Sequence, residues 1–162
     1  MVEDYRVGIR FEFPNTYDRY LEKLFENISV KDYTWYVLHS ESYIPFNEED
    51  VFFLPEGIYS GEDFLSKICL TPEYYLLWIK IFAVPNEKKF YPEKINSYKD
   101  YVESPVTFCL TCDERFSDFY SKNDKITDIV FKNCCKYFND YELVTPHYII
   151  SSEILNERFI MS

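Results

Sequence analysis

The stretch Tyr74-Tyr75-Leu76-Leu77-Trp78-Ile79-Lys80-Ile81-Phe82-Ala83-Val84 constrains this chain more than any other, because it is the longest apolar run. Read with period two, Tyr75, Leu77, Ile79, Ile81 and Ala83 share one side. Leu76, Trp78, Phe82 and Val84 share the other, with Lys80 as the only charge. A strand apolar on both faces is covered on both faces, so this one is expected inside a sheet. As a helix it is too short to cross a bilayer.

The flanking sequence supplies the other elements. Tyr5, Val7, Ile9, Phe11 and Phe13 alternate with Arg6, Gly8, Arg10 and Glu12, the pattern of a half-buried strand. Pro14 ends it, and Asn15 or Thr16 is placed to cap a helix whose buried stripe is Tyr17, Tyr20, Leu21, Leu24, Phe25 and Ile28. A second strand is expected over Tyr33–His39, then an exposed loop around Pro45, Asn47 and Glu48-Glu49-Asp50, then a short strand at Val51–Leu54. Ser60 with Asp63, and Ser97 with Asp100, have the spacing of capping pairs, the first ahead of a short helix and the second ahead of a short turn carrying Tyr98, Tyr101 and Val102. Val106, Phe108 and Leu110 predict a strand that turns at Asp113-Glu114 and returns over Arg115–Ser121. A longer helix follows, capped by Asn123 or Asp124 and striped by Ile126, Ile129, Val130, Cys134 and Tyr137. Tyr141–Thr145 is expected as a last strand. Interspersed helices and strands with a hairpin predict an α+β fold: a single globular domain over residues 1–162, built on one mixed sheet. Its central strand is 74–84, with helices packed on at least one face.

At 162 residues, with 47% hydrophobic and 20% aromatic residues, the chain can bury a substantial core. Its net charge of −11 argues against nucleic acid and against an anionic membrane surface, since both are recognised through cations. The same charge favours encounter with a basic protein. The opening Met1-Val2-Glu3-Asp4-Tyr5 lacks the basic-then-apolar pattern of a signal peptide. Five cysteines cannot all pair within one chain. Both features lead to the expectation of a cytoplasmic protein with free thiols.

Catalytic signatures are missing from the sequence. There is no nucleophile elbow, phosphate-binding glycine loop, metalloprotease helix or dinucleotide fingerprint, and only three glycines. Cys109-Leu110-Thr111-Cys112 has the spacing of a redox or zinc motif, but it falls on an expected strand. There, residues three apart face opposite ways. Small buried thiols account for it more simply. No metal and no cofactor is predicted.

The run Gly8-Ile9-Arg10-Phe11-Glu12-Phe13-Pro14-Asn15-Thr16-Tyr17 resembles the opening of a family of uncharacterised Firmicutes proteins, domain of unknown function 2691. Tyr33, Trp35 and Tyr36 stand where the family has an aromatic-rich strand. The resemblance implies a bacterial, cytoplasmic, single-domain protein. It implies no catalytic or binding residue.

The candidate site read from the residues is the acidic run Glu48, Glu49 and Asp50 with its flanking aromatics Tyr43, Phe46 and Phe52. Carboxylates beside aromatics form the rim and hot spot of protein interfaces. The expectation is a non-catalytic interaction module that binds another protein, basic in charge, as inhibitors and immunity proteins do. The alternative is a small-molecule binder or small enzyme with an aromatic cleft, drawing on Tyr17, Tyr20, Tyr33 and Tyr36.

Overall fold

The structure is a computed structural model that describes residues 8–14, 16–45, 51–113, 116–138 and 148–149. One sheet runs in the order β3-β2-β5-β6-β7-β1-β8, with β4 also pairing β2. Its strands are β1 (Gly8–Phe11), β2 (Tyr33–Ile44), β3 (Val51–Phe52), β4 (Gly57–Tyr59), β5 (Tyr75–Pro85), β6 (Phe108–Cys112), β7 (Ser117–Ser121) and β8 (Tyr148–Ile149). The α-helices are α1 (Tyr20–Leu24), α2 (Gly61–Leu70), α3 (Tyr98–Glu103) and α4 (Asp124–Tyr137).

The apolar run is β5, and it is paired on both sides, by β2 and by β6. The fold is α+β with this strand in the sheet interior, as its two apolar faces require. The expected mixed sheet is corrected: every described ladder is antiparallel. The strand–helix–strand order of β1, α1 and β2 resembles a parallel crossover unit. However, β7, β6 and β5 lie between β1 and β2, so these two strands never share a ladder.

Two cores cover the two faces. On one, α1, α2 and α4 pack Leu21, Leu24, Phe64, Ile68, Val130 and Cys134 onto Ile9, Phe11, Trp35, Ile81, Phe108 and Phe119. Trp35 stacks on Phe64 at 4.0 Å and donates its indole N–H to the Val30 carbonyl, which ties β2 to α2. On the other face, the connection between β5 and β6, including α3, lays Phe90, Tyr101 and Val106 over Tyr36, Phe82, Cys109 and Tyr120. Val106 therefore faces away from Phe108, because β6 begins only at Phe108.

Alternation in β5 is interrupted, and this shapes the candidate site. Leu38 pairs with Lys80, Glu41 with Trp78 and Ser42 with Leu76. Strand β2 thus carries an extra residue at His39–Ser40, and β5 carries one at Leu77. These are two bulges in one ladder. His39 takes a left-handed φ of 48°, which is strained for a non-glycine residue. Past Leu77 the period resets. Leu76 joins Ile79, Ile81 and Ala83 on the three-helix face, where strict alternation had placed it opposite them. Strand β2 also continues to Ile44, five residues past the end expected at His39.

The capping pairs are as expected. Ser60 Oγ accepts from the Asp63 N–H and Ser97 Oγ from the Asp100 N–H, both at 3.1 Å, and Asn123 Oδ1 accepts from Lys125 and Ile126. Helix α1 differs: it is one short turn preceded by Arg19, with no side-chain cap from its own sequence. The Tyr74 hydroxyl accepts from the Leu21 and Glu22 N–H groups instead and donates to the Ile68 carbonyl. The expected strand at Tyr141–Thr145 lies outside the described residues.

Candidate functional site

Strands β2, β3 and β5 bring aromatic residues of four segments into one line. Tyr43 pairs with Phe52 across β2 and β3, and with Tyr75 across β2 and β5. The Tyr43 and Phe52 rings stack at 5.8 Å, and the Tyr75 ring lies 5.8 Å from Tyr17. Tyr17 is held there because its neighbour Asp18 bridges to Tyr74 in both directions, N–H to carbonyl, at 3.2 Å. Directly paired residues of an antiparallel ladder share a face, so the line Phe52–Tyr43–Tyr75–Tyr17 is continuous.

The bulge at Leu77 adds Trp78 to that face. Tyr75 and Trp78 are three apart, and in an unbroken strand they would point opposite ways. Phe52 is 49% exposed, Trp78 44% and Tyr17 42%, while Tyr43 and Tyr75 are half-buried. Exposed Glu41 stands opposite Trp78. Contiguous exposed aromatics of this kind mark binding surfaces in soluble proteins. The aromatics around the acidic run divide. Phe52 and Tyr43 face outward, whereas Phe53 is fully buried and stacks on Tyr74 at 3.7 Å.

Of the residues singled out in the sequence, Tyr43 and Phe52 are thus in ring contact. Phe46, Glu48, Glu49 and Asp50 lie outside the described residues, on the connection between Ile44 and Val51. Tyr75, Trp78 and Tyr17 were not singled out for this surface. Their signal was present as aromatics inside an apolar run, but the bulge that turns two of them to one face leaves no mark in the pattern.

The four tyrosines of the alternative reading are not gathered in one cleft. Tyr20 is buried under the helices and Tyr33 packs on Trp35 and Phe108. Tyr36 faces the other side against Phe90. Tyr17, expected on the buried stripe of α1, is exposed because it precedes the helix.

A second constellation crosses the same face at one register. Lys80, Thr111, Asp118 and Arg10 follow one another through the β5–β6, β6–β7 and β1–β7 ladders. Arg10 donates from Nε to Asp118 at 2.8 Å and from Nη2 at 3.3 Å, and the Tyr120 hydroxyl donates to the same carboxylate at 3.2 Å. Asp118 is fully buried and Lys80 nearly so at 6%. Burial pushes the Lys80 ammonium below its ordinary value, and the amine lies 5.5 Å from the centre of the Phe82 ring. Such a line holds register: a one-residue slip would carry each charge to the other face. Lys80 as the one charge in the apolar run, and Asp118 inside a strand, were its sequence signals.

Cys109 and Cys112 fall in opposite cores, so they cannot converge on a metal or form a disulfide without moving the strand. Among the described residues, no helix is long and apolar enough to cross a membrane.

Comparison with known proteins gives the kinship of the chain. The family described as Protein of unknown function (DUF2691) matches residues 6–158, and the chain belongs to that family. It is also 25% identical over 144 residues to a Bacillus subtilis (strain 168) protein described as Uncharacterized protein YncE. That alignment covers 85% of this chain and 91% of the Bacillus chain. No solved structure matches.

Proposed function

We propose that this chain is a non-catalytic interaction module of the bacterial cytoplasm whose acidic, aromatic face binds a basic protein, in the manner of an inhibitor or immunity protein. The observation that carries the reading is the bulged β2–β5 ladder. It gathers Phe52, Tyr43, Tyr75, Tyr17 and Trp78 on one exposed face. The connection that joins Tyr43 to Phe52 carries Glu48, Glu49 and Asp50, and the whole chain has a net charge of −11. Large aromatics supply binding energy once desolvated, and carboxylates at the rim select a cationic partner and speed encounter. Strain at His39 fits this reading, because strained backbone and bulges concentrate at binding surfaces.

The test compares immobilised wild-type protein with two variants, Trp78→Ala and the triple Glu48→Ser, Glu49→Ser, Asp50→Ser, each checked for folding by circular dichroism. A basic protein retained by the wild type and released by both variants supports the reading. Equal retention by all three removes this face from it.

A further inference from the structure

Trp78 and Glu41 stand opposite each other across β2 and β5, and a bulge is what brings them together. Continued from the Leu38–Lys80 pair, an unbroken ladder would set Ser40 opposite Trp78. The extra residue at His39–Ser40 puts Glu41 in that place instead, and His39 takes up the strain with its left-handed φ of 48°. Side chains paired in this way have their Cβ atoms ~4.5–5.5 Å apart. Tyr43, two residues along β2 from Glu41, shares the face.

Both side chains are exposed. Among the described residues, the Trp78 indole has no ring or cation partner, and the Glu41 carboxylate has no hydrogen bond or ion pair. Lys80, the one cation of β5, is buried, and its amine lies 5.5 Å from the ring of Phe82, two residues further from Trp78. An open indole face beside an unpaired carboxylate suits a cation. A guanidinium meets both groups at once: it is planar and weakly hydrated, stacks on an indole and keeps its edge N–H donors for a carboxylate. An ammonium is more strongly hydrated and has no plane to stack.

We propose that Trp78 and Glu41 seat an arginine side chain of the partner, its guanidinium flat on the indole and its N–H groups donating to Glu41. This deepens the reading of the aromatic face as a binding surface and rests on it. The net charge of −11 favours the approach of a partner with such residues.

The test titrates the full chain with hexa-arginine, and separately with hexalysine at the same ionic strength, and follows the indole N–H signals of the two tryptophans by NMR. Trp35 is buried, with its N–H held by the Val30 carbonyl, and serves as the internal reference. Hexa-arginine should shift the Trp78 signal saturably, leave that of Trp35 in place, and bind about threefold or more tighter than hexalysine. Glu41→Gln should weaken hexa-arginine by about threefold. Glu87→Gln, an equal loss of charge at an exposed residue beyond the far end of β5, should leave it unchanged. Equal affinities for the two peptides, or equal weakening by the two substitutions, overturn the arginine seat while leaving the face as a surface for cations in general. No saturable shift at Trp78 with either peptide overturns the seat and the binding face together. The comparison of peptides uses the wild-type protein, so it decides even where a variant does not fold.

Discussion

The guanidinium of Arg10 holds the carboxylate of Asp118 in a two-pronged grip across β1 and β7, with Nε at 2.8 Å and Nη2 at 3.3 Å. The carboxylate is fully buried and also accepts from Tyr120. Such a pair contributes little when compared with apolar residues of the same volume, but losing one partner strands the other charge.

Asp118→Ala should therefore destabilise the fold by about 3–5 kcal/mol, as breaking a buried pair does. Urea denaturation followed by tryptophan fluorescence measures it. A loss under about 1 kcal/mol would mean that Arg10 reaches solvent on its own, in line with a surface pair.

Tyr74→Phe keeps the stacking on Phe53 but removes the oxygen that caps α1. The expected loss is about 1–3 kcal/mol, the range for leaving buried donors unmet. Exchange of the Leu21 and Glu22 amides should quicken more than that of α4. Uniform change across both helices would contradict the cap.

The thiols should separate into two classes. Cys109, Cys112 and Cys134 are buried, while Cys69 and Cys135 are half-buried. At pH 8 a thiol reagent such as DTNB should modify Cys69 and Cys135 in the folded protein and the other three only after unfolding. Burial pushes Cys109 and Cys112 up to about 12, above the ~8.5 of an unfolded thiol. The folded state thus keeps protons that the unfolded state releases. Stability from these groups is complete below about pH 8.5 and falls as pH rises toward 12, by roughly 1.4 kcal/mol per pH unit for each thiol. A urea midpoint that is the same at pH 8 and pH 10.5 would refute this.

Gly61 opens α2 where the helix meets the backbone of Val30 and Lys31. A Cβ there would lie 2.5 Å from the Lys31 Cα and 2.7 Å from the Val30 carbonyl oxygen. Gly61→Ala should therefore destabilise by about 1–3 kcal/mol through overpacking, despite the better helix propensity of alanine. A rise in melting temperature would show that α2 can retreat from this contact.

Trp78→Ala, at 44% exposure, should change stability by about 0.5 kcal/mol or less. If the aromatic face is a binding surface, the same variant should weaken partner capture by more than tenfold, as loss of a hot-spot aromatic does. The Glu48, Glu49, Asp50 triple variant should act differently, lowering the association rate and its salt dependence. Slower association without a change in salt dependence would separate the acidic run from steering.

Much of this was fixed locally. The alternation of Ile9 and Phe11 with Gly8 and Arg10, the stripe of Ile126, Val130 and Cys134, and the caps at Ser60, Ser97 and Asn123 follow from periodicity and side-chain reach within a few residues. So does the interior place of β5, since two apolar faces leave a strand nowhere else to go. Tertiary structure decided what depended on distant partners. The cap of α1 comes from Tyr74, whose hydroxyl reaches Leu21 from 53 residues along the chain. The face presented by Tyr75 and Trp78 depends on how β2 and β5 take up one extra residue each. The partner of Arg10 is Asp118, 108 residues away, rather than any near neighbour. A single sequence records what each residue prefers. It does not record which strand lies beside which, and the aromatic line and the buried charges arise from those adjacencies.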